Sequence, residues 1–179
     1  MTKEIKFSIE GDIEGGPPIF LHGDKFSYAG KFITKDAGKI LARIDEEVVG
    51  AISFNKDRND EDIGWIRYMV VEKDHRGEGI GPELITYAIG VLRENVGLIK
   101  VATNNIFAYR ALYKSGFAYT GKTTGMAELV LEYPKNQTMH KYIEGVEHLL
   151  SVKNLTEEEI EFFSNEDIKN IPTKKLFSF

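Results

Sequence analysis

The fold is decided by the stretch Val70-Val71-Glu72-Lys73-Asp74-His75-Arg76-Gly77-Glu78-Gly79-Ile80-Gly81. Its β-branched start predicts a strand, which runs into a basic, glycine-rich loop, and an amphipathic helix follows at once. Glycine lets the main chain approach a phosphate closely, and the free N–H groups of a helix start point towards an anion. The spacing Arg76-x-x-Gly79-x-Gly81 is neither the dinucleotide pattern nor a P-loop, because no Gly-Lys-Ser/Thr follows. The stretch therefore predicts a main-chain cradle for a pyrophosphate.

Composition and charge narrow the class of protein. Of 179 residues, 42% are hydrophobic and 28% charged, which is typical of a globular chain, and no apolar run reaches the roughly 20 residues of a membrane span. The first residues lack an apolar signal-peptide core, so we expect a cytoplasmic protein with no membrane partner. The absence of cysteine excludes thiolate metal sites and an acyl-cysteine intermediate, and the four histidines lack metal-ligand spacing, so we expect no metal. The net charge of −5 disfavours nucleic acid as a partner.

Hydrophobic periodicity places strands and helices in alternation. Residues 3–13 alternate enough for a strand, whereas the glycine- and proline-punctuated residues 14–38 give no assignment. The remaining pattern predicts a hairpin over 39–55, strands over 63–71, 98–103, 117–121 and 126–133, and helices over 82–95 and 106–115. Strands joined by helices after a meander predict an α/β fold.

A second motif follows the glycine loop after one helix and one strand: Asn105-Ile106-Phe107-Ala108-Tyr109-Arg110-Ala111-Leu112-Tyr113-Lys114-Ser115-Gly116-Phe117. Together the two motifs resemble the signatures of the GNAT (Gcn5-related N-acetyltransferase) superfamily, the second of which reads N-x-x-A…L-Y-x-x-x-G-F. The resemblance is carried by residues 39–133, is weak over 1–38 and is absent after 133. One extra residue separates Ala108 from Tyr113, and Pro82 removes one N–H donor next to the loop.

The resemblance implies a mixed, mostly antiparallel central sheet with flanking helices, splayed where acyl-CoA enters. Residues 1–134 would form the acetyltransferase domain and residues 135–179 a helical C-terminal extension. Apolar residues from Met139 to Leu150 follow helical spacing, and Thr156-x-x-Glu159 predicts a capping box that opens a second helix. We expect this extension to dock on the domain, to cover the acceptor wall or to form a homodimer interface.

The resemblance also assigns roles to individual residues. Main-chain groups around Met69, Val70 and Val71 would pair with the pantetheine arm of acetyl-CoA, and the N–H of Val70 or Val71 would hold the oxyanion. The pyrophosphate would be wrapped by the loop Arg76, Gly77, Glu78, Gly79, Ile80 and Gly81. Asn105 and Tyr113 would contact the cofactor, and Tyr113 would protonate the departing thiolate. The alternative for Tyr113 is an aromatic side chain packed beside Leu112.

The general base is not evident in the sequence. The strand positions at which relatives often carry a glutamate hold Trp65 and roughly Lys100 or Val101. Glu61 and Asp62 are the nearest carboxylates, and their charged surroundings are more typical of a solvated loop. A water-relayed base or an amine already deprotonated in solution stays open. The aromatic residues near His22 fall where relatives wall their acceptor site, although core packing explains them better.

The leading hypothesis is an N-acetyltransferase that moves an acetyl group from acetyl-CoA to a primary amine of a small molecule, peptide or protein, directly in a ternary complex. The alternative is a non-catalytic acyl-CoA-binding or sensor module that engages a protein through its C-terminal helices. An intact Tyr113 favours the enzyme, whereas the missing strand carboxylates favour the sensor.

Overall fold

Apolar runs bounded by turn residues form most of the regular structure. The computed structural model describes residues 3–152 and 154–173, and the chain divides into the units Met1–Lys100 and Val101–Phe179. The first unit contains β1 (Lys6–Glu10), β2 (Gly38–Ile44), β3 (Glu47–Lys56), β4 (Ile63–Val71) and α1 (Ile80–Arg93). The strand β5 (Leu98–Thr103) leads into the second unit, which contains α2 (Ile106–Lys114), β6 (Ala118–Thr123), β7 (Leu129–Tyr133), α3 (Met139–Val152) and α4 (Glu157–Phe163). The predicted mixed α/β class is confirmed.

The strands of the first unit lie in the order β1-β2-β3-β4, and each neighbouring pair is antiparallel. Asp45 and Glu46 join β2 to β3 with positive φ angles of 50° and 68°. Positive φ at both central residues gives a turn whose twist matches that of the flanking strands. The predicted hairpin is therefore confirmed, with its turn at the predicted acidic residues.

One face of this sheet is covered by α1, which packs against β2, β3 and β4. Its buried residues include the predicted apolar stripe Leu84, Ile85, Ala88, Ile89 and Leu92. A Cβ on Gly50 would lie 3.3 Å from Leu84 and 3.4 Å from Ile80, so glycine permits the close approach of helix and strand. The helix begins at Ile80, two residues before the predicted start. Pro82 is tolerated because the first four N–H groups of a helix have no acceptor within it.

The opposite face is covered by the segment for which the sequence gave no assignment. Phe26 and Phe32 are buried there against Leu41, Ala51 and Val70, which lie in one row across β2, β3 and β4. The segment has one short 3-10 turn, Ala29–Phe32, and no longer helix. Packing of a few aromatic side chains, rather than a periodic pattern, holds it in place.

A buried cation ties the segment to the sheet. Lys39 on β2 is fully buried, and its ammonium group donates hydrogen bonds to the main-chain oxygens of Pro17, at 2.8 Å, and Thr34. Burial lowers the pKa of Lys39, because the charged form loses its hydration. The two carbonyl oxygens compensate for that loss.

The second unit is built around α2, the antiparallel hairpin β6–β7 and α3. Three buried tyrosines stack between the helices, with ring centroids 4.9 Å apart for Tyr109 and Tyr113 and 5.6 Å for Tyr109 and Tyr142. The capping box of Thr156 and Glu159 opens α4 as predicted. Residues 153 and 174–179 of the predicted extension lie outside the described residues. None of the described helices is both long and apolar enough to span a membrane.

Candidate functional site

The glycine loop joins β4 to α1 through a short turn. Glu72 follows the strand, Lys73–His75 form one 3-10 turn, and the chain then runs through Arg76 to the helix start. Gly77 and Gly79 have φ angles of 83° and 84°, which side chains with a Cβ rarely adopt. A Cβ on either residue would meet no atom within 4 Å. Glycine is therefore needed here for the course of the main chain, and the space in front of it is open.

The glycine-rich end of this loop presents a row of free N–H groups, whereas those of Lys73 and His75 are bonded to Lys25 and Glu72. Within the described part of the chain, the N–H groups of Gly77, Glu78, Gly79, Ile80 and Gly81 have no hydrogen-bond acceptor. Consecutive free N–H groups at a helix N-terminus form a concave anion site, strengthened by the helix dipole. The arrangement is suited to bind a phosphate or pyrophosphate group.

Residues 24–27 of the preceding segment lie against the loop. The Arg76 guanidinium donates to the Ser27 hydroxyl at 3.2 Å, and the Lys73 ammonium donates to the Asp24 main-chain oxygen at 3.0 Å. Lys25 lies 3.3 Å from the buried carboxylate of Glu72, whose hydrogen bond and negative charge raise the pKa of Lys25. The residues next to His22 thus support the glycine loop.

A histidine holds one acidic side chain of the loop. The His75 Nδ1 lies 2.8 Å from the Glu78 carboxylate, and its Nε2 lies 3.7 Å from Glu72. The contact holds the Glu78 carboxylate beside the imidazole ring of His75.

A cavity of about 600 Å³ opens beside β3 and β4. We call it the β3–β4 cavity. One wall is the segment between residues 30 and 37, and the floor includes Ser53, Asn55, Trp65, Arg67 and Tyr68. Arg67 is there because of a β-bulge: Ser53 pairs with Tyr68 and Phe54 pairs with Ile66, so Arg67 is an extra residue of β4.

The two carboxylates of the cavity are already hydrogen-bonded. Asp57 accepts from the Trp65 indole at 2.6 Å and from the Asn59 main-chain N–H at 2.8 Å, while Asp36 accepts from the Thr34 hydroxyl. These bonds favour the ionised forms, and they lower the pKa of Asp57 and of Asp36. Both side chains are therefore anions whose negative charge is already stabilised.

The second motif lies on α2 in the other unit. Asn105 is the N-cap residue, and its side-chain oxygen accepts from the Ala108 N–H at 3.0 Å. Tyr113 is 2% exposed, and its hydroxyl oxygen accepts from the Tyr119 N–H at 2.9 Å. Burial raises the pKa of Tyr113. The predicted contacts of Asn105 and Tyr113 with acetyl-CoA, and the role of Tyr113 as acid, remain predictions.

The spacing of the motif differs from the signature by one residue. The signature has three residues between its tyrosine and its glycine, whereas only Lys114 and Ser115 separate Tyr113 from Gly116. A shift of one residue turns a side chain by about 100° around a helix axis. The three-residue spacing would place the tyrosine at Leu112, which is also buried.

The two carboxylates that the sequence suggested as bases have structural partners. Asp62 accepts from the Gly97 N–H at 2.7 Å, and Glu61 lies 3.7 Å from the Lys56 ammonium. The polar floor of the β3–β4 cavity was missed by the sequence analysis. Arg67 was the available signal, since it is a charged residue within the otherwise apolar strand Ile63–Val71. Over the described ranges, no group of three or more potential ligands could hold a metal ion.

Comparisons with known proteins agree with the two motifs. A family model described as the acetyltransferase (GNAT) family matches residues 10–117. The streptothricin acetyltransferase of Escherichia coli is 36% identical over 90 residues, which are 49% of this chain and 51% of that protein. The chain thus spans about half the length of this curated relative.

Solved structures of acetyltransferases are similar at lower identity. The structure of yncA from Salmonella typhimurium with its cofactor acetyl-CoA is 15% identical and has a TM-score of 0.49, over 57% of this chain and 67% of that chain. The paiA N-acetyltransferase from Thermoplasma acidophilum in complex with coenzyme A is also 15% identical, with a TM-score of 0.45 over 52% of this chain and 58% of that chain.

Proposed function

Since the chain belongs to the acetyltransferase (GNAT) family, we propose that it transfers the acetyl group of acetyl-CoA to a primary amine. The observation that carries the proposal is the row of five free N–H groups from Gly77 to Gly81. A pyrophosphate bound there would satisfy these donors and gain from the dipole of α1. The name of the Escherichia coli relative, which is an acetyltransferase, supports the same reaction.

The proposed reaction is a direct acyl transfer. The amine nitrogen attacks the thioester carbonyl, the new C–N bond forms, and the C–S bond breaks. The amine loses one proton, and the departing CoA thiolate takes one up. The chain has no cysteine that could hold the acetyl group on the way, which supports transfer within a ternary complex.

The amine must be neutral when it attacks. A lysine side chain with a pKa of about 10.4 lies about 3 pH units above neutrality, which costs about 4–5 kcal/mol, whereas an α-amine near 8 costs about 1 kcal/mol. Asp36 and Asp57 have lowered pKa values and are therefore weak bases. We infer that the acceptor loses its proton to water before attack, which favours amines of low pKa.

Protonation of the thiolate is assigned to Tyr113. Burial raises the pKa of this tyrosine, so the phenol keeps its proton at neutral pH. In this proposal the phenol donates that proton as the C–S bond breaks and is then reprotonated from solvent.

The experiment combines a thermal shift with a measurement of free thiol. Acetyl-CoA is added to the purified chain alone and with a panel of amines, amino acids and peptides. Stabilisation by acetyl-CoA and release of CoA thiol with one class of acceptor would support the proposal. Stabilisation without thiol release for any acceptor would instead support a non-catalytic acyl-CoA-binding module. No stabilisation by acetyl-CoA would contradict the assignment of the loop.

A further inference from the structure

The β3–β4 cavity is lined by more cationic than anionic side chains, and the charges of Asp36 and Asp57 offset only part of the positive charge. Lys31, Arg58 and Arg67 line it, and none of the three forms an ion pair among the residues that the structure describes. The cavity carboxylates, Asp36 and Asp57, are engaged by hydroxyl, indole and main-chain donors instead. The side chains available to a ligand in this cavity are therefore mainly cationic.

Arg67 is held in a fixed orientation with its terminal amino groups free. Its Nε donates to the Asn55 side-chain oxygen at 2.6 Å, and its guanidinium lies over the Trp65 ring, 5.0 Å from the centroid. A planar guanidinium that is fixed at Nε and exposes both terminal nitrogens matches the two oxygens of a carboxylate.

A buried hydroxyl in the same cavity has no partner. Ser53 is 1% exposed, and its Oγ makes no hydrogen bond within the described part of the chain. Buried polar groups are nearly always hydrogen-bonded, because an unpaired one costs free energy. The Oγ itself is closed to solvent, so this hydroxyl belongs to the cavity lining and is not a direct ligand contact.

The cavity also lies at a place along β4 that is suitable for an acceptor site, because the glycine loop follows the end of the same strand. Tyr68 at its floor precedes Val71 at the strand end by three residues, which is about 10 Å. The free N–H groups of the glycine loop begin soon after that end. A volume of about 600 Å³ is within the range of small-molecule sites.

We propose that the β3–β4 cavity is the acceptor site and that the acceptor carries a carboxylate besides its amine, as a free amino acid does. Arg67 binds the carboxylate, and Trp65 and Tyr68 contact the apolar part. This inference rests on the proposed acetyl transfer, which is what would happen to the amine of the acceptor. Binding of the carboxylate does not depend on that reaction.

The test measures binding without turnover. The N-acetyl derivatives of the amino acids that carry a primary α-amine, which are the products of the proposed reaction, are titrated into the chain by calorimetry, each beside its uncharged C-terminal amide. We expect saturable binding of a subset of the acids and binding at least tenfold weaker for their amides. Equal binding of acids and amides, or no binding of any acid, would overturn the proposal.

Variants locate the site. Arg67→Gln should weaken binding of the acids about ten- to hundredfold, since a hydrogen bond to a charged group is lost. Arg67→Lys keeps the positive charge but loses the planar pair of terminal nitrogens, so it should give an intermediate loss of affinity for the acids. Ser53→Ala should change binding less than twofold and should not lower the unfolding temperature, because its buried hydroxyl is closed to the cavity and has no partner to lose. Arg43→Gln, on β2 and outside the cavity, should leave binding unchanged. Unchanged binding in Arg67→Gln would overturn the assignment.

The two proposals fail separately. If acetyl-CoA transfers to simple amines as fast as to amino acids, the acetyl transfer stands and the carboxylate requirement is wrong. If N-acetyl amino acids bind through Arg67 while acetyl-CoA gives neither stabilisation nor thiol release, the cavity assignment stands and the proposed function is wrong.

Discussion

The Nε of Arg67 donates a hydrogen bond of 2.6 Å to the side-chain oxygen of Asn55 on the neighbouring strand. The Asn55 amide in turn donates to the main-chain oxygen of Asp36 at 3.2 Å. Asn55 therefore connects the guanidinium to the loop wall of the β3–β4 cavity. The orientation of Arg67 depends on a residue that need not touch the ligand itself.

This relationship predicts that a carboxylate introduced at residue 55 would compete with the ligand for the Arg67 guanidinium. Asn55→Asp places a carboxylate beside the guanidinium, which would then pair with protein rather than with a ligand. We expect the KM for a carboxylate-bearing acceptor to rise at least tenfold, while the KM for acetyl-CoA stays within twofold. Asn55→Ala, which only frees the guanidinium, should give a smaller rise. Steady-state kinetics with both substrates varied would show this, and equal KM values in the wild type and Asn55→Asp would contradict it.

Gly79→Ala should weaken binding of acetyl-CoA. The residue has a φ of 84°, and an added Cβ meets no atom within 4 Å, so the change costs backbone strain of about 1–2 kcal/mol without a clash. The loop relieves this strain by turning its N–H groups, and we expect affinity for acetyl-CoA to fall at least tenfold in calorimetry.

Gly90→Ala is the matched control for this change. Gly90 lies within α1 and also has no atom within 4 Å of an added Cβ. Its φ is ordinary, so alanine should raise the free energy of unfolding by about 0.5–1 kcal/mol and leave acetyl-CoA affinity unchanged. Similar losses of affinity in both variants would show that the loop conformation is not the cause.

Tyr113→Phe should affect both stability and turnover. Loss of the hydroxyl leaves the buried Tyr119 N–H without its acceptor, and we expect the free energy of unfolding to fall by about 1–3 kcal/mol. If Tyr113 is the acid, kcat measured well below the unfolding temperature falls at least tenfold while the Kd for acetyl-CoA is unchanged. Loss of stability with wild-type kcat would leave Tyr113 a packing residue and remove its assigned role.

The lowered pKa of Asp57 predicts a pH dependence of stability that the fluorescence of Trp65 would report. Its hydrogen bonds from Asn59 and Trp65 lower its pKa, so its contribution to stability is present above the ordinary aspartate pKa of about 4 and is lost as pH falls through the lower folded pKa. Trp65 is the one tryptophan of the chain, so its fluorescence reports the loss of the indole bond.

We expect the Trp65 emission to change below about pH 4 in the wild type, that is, below the ordinary aspartate pKa. The change should be absent in Asp57→Asn, whose unfolding temperature should also fall less steeply in acid. Asp36→Asn, at the other cavity carboxylate, should keep the fluorescence transition. An unchanged transition in Asp57→Asn would assign it to another group.

The regular elements could be predicted because local rules govern them. The strand Ile63–Val71 and the helix start after it follow from a β-branched run, two glycines and an apolar stripe, and all lie within thirty residues of one another. The capping box at Thr156 is likewise local. Their positions were correct to within a few residues because no distant contact was needed to define them.

The floor of the β3–β4 cavity could not be predicted in the same way. Arg67 reaches it through a one-residue register shift between β3 and β4, which only the pairing of two strands defines. The loop wall depends on Phe26 and Phe32 packing against three strands. The burial of Tyr113 depends on its contacts with Tyr109, Tyr142 and Tyr119, which the motif does not show.

The bonds of Lys39 bear on how such a protein can change its substrate over evolutionary time. Its ammonium group binds main-chain oxygens of Pro17 and Thr34, which any residues in those places would provide. These two hydrogen bonds are therefore independent of the side chains between the two points, whereas the packing of Phe26 and Phe32 is not. Substitutions at the other positions of that stretch can alter what the wall presents to the cavity while Phe26, Phe32, the sheet and the glycine loop keep their sequence. If the cavity holds the acceptor as proposed, acceptor preference can therefore diverge faster than binding of the acyl donor.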